Sequence, residues 1–256
     1  MTNQEEAYVK SFTEDNITTI TFFHPQSNSL PGKILNALAD EITKEGKNAN
    51  STVIVLQSAG NKAFCAGASF DELLQIEDEK TGLEFFSGFA KVINAMRVCS
   101  KFIIARIQGK CVGGGVGLAA SADYAIALNT SDVKLSELAV GIGPFVVGPA
   151  VERKIGVSAF SALAIDATNW RTAQWAYEKG LFAEIHDTIE KVDEAVLKIA
   201  KTLSASNPQA MEDLKKVSWE GTENWDKLLP ERAAISGRLI LSDFSRKSIE
   251  KFKAKK

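Results

Sequence analysis

The chain has 256 residues, 45% of them apolar, and a formal charge of −2 from 30 basic and 32 acidic side chains. That length and apolar share support one large α/β domain, or a domain with an appendage, and exclude a disordered chain. The near-balanced charge excludes a general attraction to nucleic acid, so no such partner is expected and any anionic ligand must be met locally. No window approaches the ~18 to 20 apolar residues of a membrane span, and the start MTNQEEAYVK lacks the basic-then-apolar order of a secretory signal. No membrane association and a cytoplasmic location are therefore expected. Cys65, Cys99 and Cys111 stand at no metal-ligand spacing, which fits reduced thiols, and two histidines, His24 and His186, make no histidine-rich metal site.

Ile17 to Phe23 alternates β-formers with threonines and stops at His24-Pro25, which predicts a strand. Pro31 to Lys44 carries Ile34, Leu35, Leu38 and Ile42 at helical spacing. Thr52 to Gln57 is apolar on both parities, as a strand buried on both faces would be, and gives way to a loop at Ser58 to Lys62. Asp71 to Val98 is helical in pattern, with an interruption expected near Gly82. A strand follows at Phe102 to Ile107, then a helix introduced by Gly113 to Gly117 and running through Ala120, then a strand at Tyr124 to Leu128. This βα alternation predicts right-handed crossovers and a sheet covered by helices. From Val151 onward the pattern is mostly helical, with breaks expected at Asn207-Pro208 and Leu229-Pro230. No internal repeat is visible.

Two loops of small residues follow predicted strands, Ala63 to Ala68 (AFCAGA) and Val112 to Gly117 (VGGGVG). Each lets a ligand approach bare backbone N–H groups, and the helix starting at the second turns its positive end toward developing negative charge. The second loop lacks the lysine and hydroxyl residue of a P-loop and does not fit the GxGxxG dinucleotide fingerprint, which disfavours nucleotide chemistry.

Almost the whole chain resembles the crotonase, or enoyl-CoA hydratase/isomerase, superfamily. The matching segments in order are PQSNSL (Pro25 to Leu30), KAFCAGA (Lys62 to Ala68), GKCVGGGVGL (Gly109 to Leu118), ADYAIA (Ala122 to Ala127), LSELAVGIGP (Leu135 to Pro144), Arg171 to Leu181, and the tail from Ser242. The resemblance implies an α/β fold of the crotonase type, a ββα spiral over residues 1–190 followed by a helical region at 191–256 that trimerises and covers coenzyme A. It also implies an acyl-CoA thioester as substrate, no cofactor beyond the coenzyme A of that substrate, no metal, and a homotrimer or dimer of trimers. Carried over by position, the backbone N–H groups of Ala68 and Gly114 correspond to the oxyanion hole and Glu137 to the acid/base carboxylate. The Ala66 carbonyl and the Lys62 ammonium correspond to contacts with the adenine and phosphates of coenzyme A.

Three departures qualify the resemblance. The family's other glutamate position falls on Gly117, Gly143-Pro144-Phe145 offers none of the aspartate that some relatives use, and Ser69 with Asp71 stands where relatives carry an aspartate and then a lysine. A hydratase uses two carboxylates on one water, whereas moving a double bond needs one base, so isomerisation of a 3-enoyl-CoA to a 2-enoyl-CoA is the leading expectation. Hydration, including that of a branched substrate such as methylglutaconyl-CoA, is the alternative; a non-catalytic acyl-CoA- or RNA-binding homologue is the third. Cys65, Cys111, His24 and His186 are read as structural. Phe85, Phe86 and Phe89 are candidates to line an acyl tunnel, but an aromatic stripe at helical spacing is more often core, and they stand outside the expected site. One of Lys247, Lys251, Lys253, Lys255 and Lys256 is a candidate contact for coenzyme A phosphates.

Overall fold

The computed structural model describes residues 6–253. Its main sheet has six strands in the order β1 (Tyr8–Glu14), β2 (Ile17–Phe23), β4 (Val53–Ser58), β6 (Phe102–Ile107), β8 (Tyr124–Leu128) and β10 (Glu184–His186). Only the β1–β2 pair is antiparallel; the pairs from β2 through β10 are parallel. Between these strands the chain makes two-residue strands in a second layer: β3 (Ser29–Leu30) pairs with β5 (Gly67–Ala68), and β7 (Cys111–Val112) pairs with β9 (Val133–Lys134). A bridge between Cys65 and Cys111 joins the two pairs. Each turn thus runs from a long strand to a short one and on to a helix: α1 (Gly32–Gly46), then α2 (Phe70–Leu73) with α3 (Glu79–Val98), then α4 (Gly114–Ser121). This is the expected ββα spiral.

Burial follows the sequence pattern. On β4, Ile54 and Leu56 enter the large core under α1 and α3, while Val53 and Val55 enter a second cluster under α7 (Ile189–Ser204). That explains why the strand is apolar on both parities. β1 escapes sequence reading because its residues alternate between half-buried and exposed at the sheet edge.

Two expected breaks are absent. α3 runs unbroken through Gly82, and the interruption lies instead between α2 and α3. Asp78 there caps α3 by accepting from Thr81 N–H at 2.7 Å. Gly82 serves close packing: a Cβ on it would stand 2.7 Å from the Gly237 Cα on α9 (Trp225–Leu239). Nor does Leu229-Pro230 break α9, which continues through Pro230. An interior proline costs about 3 kcal/mol, but this one lies in a helix held by its buried Trp225, Leu229 and Ala233. At Asn207-Pro208 the expected break is present, with Asn207 capping α8 (Pro208–Ser218).

The last helices fold back on the body. α10 (Asp243–Lys253) packs against the turn at Glu137–Val140, and Ser245 Oγ donates to the Gly141 carbonyl at 3.2 Å. Lys247 and Lys251 are exposed; Lys255, Lys256 and the side chain of Lys253 lie outside the described residues. Among the described residues, no helix is long and apolar enough to cross a membrane.

Candidate active site

The first loop is held from behind by Asn28. Its side chain is nearly solvent-free, with Nδ2 donating to the carbonyls of Ala59 and Ala63 at 3.0 and 2.9 Å and Oδ1 accepting from His24 N–H at 2.8 Å. The Ala66 N–H in turn donates to the Asn28 carbonyl at 3.1 Å. These bonds convert a flexible small-residue segment into a fixed rim, and they account for the asparagine in PQSNSL. Ser69, one of the departures, is buried and caps α2, accepting from Glu72 N–H at 3.3 Å.

The second loop meets the first edge-on. Val112 N–H donates to the Cys65 carbonyl at 2.9 Å, and a Cβ on Gly67 would stand 3.9 Å from the Gly114 nitrogen. Gly113, at φ 52°, ψ −112°, holds a backbone conformation that a larger residue would strain to adopt, just before the N-terminus of the fully buried α4. The Phe89 ring covers the Gly114 Cα, leaving that residue no room for a side chain.

Glu137 opens a 3-10 turn (Glu137–Val140) that ends at the left-handed Gly141, φ 84°. The turn aims its carboxylate at the second loop, so that a Cβ on Gly113 would stand 2.9 Å from Oε1. Oε2 is buried and has no hydrogen-bond partner among the described residues. Burial pushes this carboxyl from 4.5 up to about 7, offset only in part by a bond from its own N–H.

These groups share one cavity of about 210 Å³, mostly apolar. Ala66, Ala68, Gly114 and Glu137 all line it, so four of the five expected site residues come together. Lys62 does not line it; it is exposed on the loop leading to the rim. Phe85, Phe86 and Phe89, left outside the expected site, line it as well, in keeping with the tunnel reading, and Phe89 also belongs to the core. Helical spacing identifies their shared face but not that this face borders a void. Sequence reasoning also missed Val147 and Ser236, which come from distant elements and carry no local signal. Val147 fills the position next to Gly117: a Cβ there would stand 2.6 Å from Val147 Cγ1 and 3.7 Å from Ile93 Cδ1. His24, whose pKa burial lowers, and His186, paired with Glu184 at 3.0 Å, are not among the lining residues.

The enoyl-CoA hydratase/isomerase family model matches residues 13–256. The chain belongs to that family. Among curated relatives, YngF of Bacillus subtilis, described as an enoyl-CoA hydratase/isomerase, is 30% identical over 215 residues, covering 82% of this chain and 80% of YngF. A (7aS)-7a-methyl-1,5-dioxo-2,3,5,6,7,7a-hexahydro-1H-indene-carboxyl-CoA hydrolase of Mycobacterium tuberculosis is 25% identical over 208 residues, 79% of this chain and 80% of the hydrolase. Among solved structures, an enoyl-CoA hydratase from Bacillus halodurans superposes with a TM-score of 0.88 at 22% identity, covering 95% of this chain and 99% of its own. That likeness fixes the crotonase fold. Family membership makes an acyl-CoA thioester consistent with the apolar cavity, and the relatives' names span hydration, isomerisation and hydrolysis.

Proposed function

We propose that this family member isomerises a 3-enoyl-CoA to a 2-enoyl-CoA through a thioester enolate. The Glu137 carboxylate takes a proton from C2 while the N–H groups of Ala68 and Gly114 bind the thioester oxygen as it gains charge. The double bond moves from C3–C4 to C2–C3, and Glu137 returns the proton to C4. Donors already aimed at the oxygen favour the enolate over the ground state, which is worth about 3 kcal/mol per donor. The Ala66 carbonyl and the Lys62 ammonium are assigned to the adenine and phosphates of coenzyme A. We also keep the trimer or dimer of trimers and the cytoplasmic location within this reading.

The supporting observation is the Glu137 carboxyl in an apolar cavity, with its Oε2 unpartnered among the described residues. A group titrating near 7 both accepts and gives back a proton at neutral pH, as a shuttle requires. Hydration would need a second polar group to hold the water, and the place beside Gly117 is filled by Val147 and Ile93. The test is to incubate the protein with a 3-enoyl-CoA and, separately, with a 2-enoyl-CoA, following conjugated-thioester absorbance and free thiol. Absorbance should rise from the first substrate. Loss of conjugation from the second would assign hydration instead, and thiol release would assign hydrolysis, the reaction in the mycobacterial relative's name.

A further inference from the structure

Helix α3 runs along the cavity and meets both of its ends. At one end the Phe89 ring covers the Cα of Gly114, whose N–H is assigned above to the thioester oxygen. One turn earlier Phe85 and Phe86 lie on the same face of α3 and line the void, as residues three and four apart on a helix do. A further turn on, α3 crosses α9 with backbone against backbone: a Cβ on Gly82 would stand 2.7 Å from the Gly237 Cα, and one on Gly237 would stand 2.8 Å from the Leu83 nitrogen. Ser236, the neighbour of Gly237, lines the cavity, so the void reaches this crossing and is closed by it.

The end wall is anchored. Phe86 packs both on the main core and on the cluster of Ile142, Ile240 and Ile249, which holds its ring in place. The Phe85 ring meets it edge to face, with centroids 5.0 Å apart. From Phe89 back to Gly82 the helix rises roughly 10 Å. An extended chain advances about 1.2 Å per bond, so about eight bonds fit between the loops and the crossing. The volume of about 210 Å³ agrees, since a dry cavity of about 150 Å³ takes a six-carbon ring.

We propose that this closed end limits the acyl group to about eight carbons, that Phe85 and Phe86 set the limit, and that the protein takes short and medium-length acyl-CoA thioesters and rejects long-chain ones. The inference rests on the acyl-CoA reading and adds to it the length of the substrate. An acyl group within the limit gains from each carbon it buries, whereas a longer one must displace packed rings or leave its tail in water.

Binding of saturated acyl-CoA thioesters, measured by calorimetry below their micelle concentrations, tests the limit without any turnover. From butanoyl-CoA to octanoyl-CoA the affinity should rise about fourfold per carbon, and dodecanoyl-CoA should bind at least about tenfold more weakly than octanoyl-CoA. Phe85→Ala opens the wall and should bring those two to equal affinity or reverse their order. Phe85→Trp fills it and should make hexanoyl-CoA bind more tightly than octanoyl-CoA. Thermal denaturation checks that each variant is folded, and Phe86→Leu, which shortens the same wall while keeping an apolar side chain, decides the point if Phe85→Ala is not. Dodecanoyl-CoA binding to wild type as tightly as octanoyl-CoA, or a limit that stays at the same carbon in folded variants of both phenylalanines, overturns the inference and leaves the acyl-CoA reading standing. Failure of every thioester to bind overturns both.

Discussion

Two glutamates with buried carboxyl oxygens are wired in opposite ways. Glu45, at the end of α1, is 4% exposed, and its oxygens accept from Asn48 at 2.7 Å, Ser11 at 3.3 Å and Thr18 at 3.5 Å, with Lys44 at 3.2 Å. Burial alone would raise its pKa, but the bonds from Asn48, Lys44 and Ser11 outweigh it and hold the group below its ordinary value. Glu137 has a buried Oε2 without a partner and rises to about 7. The difference teaches that burial does not set a carboxyl's behaviour by itself; the donors supplied with it do. Glu45 binds α1 to the sheet edge, and Glu137 is left free to exchange a proton.

The comparison breaks first at activity. Glu137→Gln should lower kcat by at least 10², whereas Glu45→Gln should leave the kcat of the folded protein nearly unchanged; equal losses in steady-state assays would dissolve the distinction. The pH profile should sharpen it next. A Glu137 base of the kind proposed starts as a carboxylate, so kcat/KM should fall about tenfold per unit below pH 7 and level off above it. An inflection near pH 4.5 would mean that Glu137 is not the titrating base.

Stability should then move in opposite directions. The folded-state pKa of Glu137 lies above its unfolded value, so its burial costs nothing below pH 4.5 and up to roughly 3 kcal/mol above pH 7. Thermal denaturation should show Glu137→Gln gaining stability over wild type as pH rises from 5 to 8. For Glu45 the folded pKa is depressed, so its contribution is present above pH 4.5 and lost as pH falls through the folded value. Glu45→Ala should cost about 2 kcal/mol at pH 7 by stranding its donors, with a smaller cost in acid. The smallest effect concerns the wall beside Gly117. Gly117→Ala should destabilise by about 1 kcal/mol through its clash with Val147, and adding Val147→Ala should remove part of that cost in a double-mutant cycle.

Much of this was legible in the chain. The strands β2, β4, β6 and β8 and helix α1 announce themselves by periodicity, because each buries a face whose spacing is fixed by backbone geometry. The two small-residue loops and Glu137 were legible through resemblance, because those residue types are what close backbone approach and proton transfer demand. The two-residue strands β3, β5, β7 and β9 are too short to carry a period. Gly82 and Pro230 mislead because local propensity speaks of the isolated helix, and the contact between α3 and α9 overrides it.

By itself, then, the sequence determined the family, the order of strands and helices, and which residues could offer bare N–H groups or a carboxylate. Only the tertiary structure decided that the buried Glu137 Oε2 lacks a partner among the described residues, that Val147 closes the space beside Gly117, and that Phe85, Phe86 and Phe89 line a cavity. The reason is physical: residue type and spacing record what a segment can do with its own backbone, whereas burial, pKa and the shape of a void depend on elements brought together from a hundred residues apart.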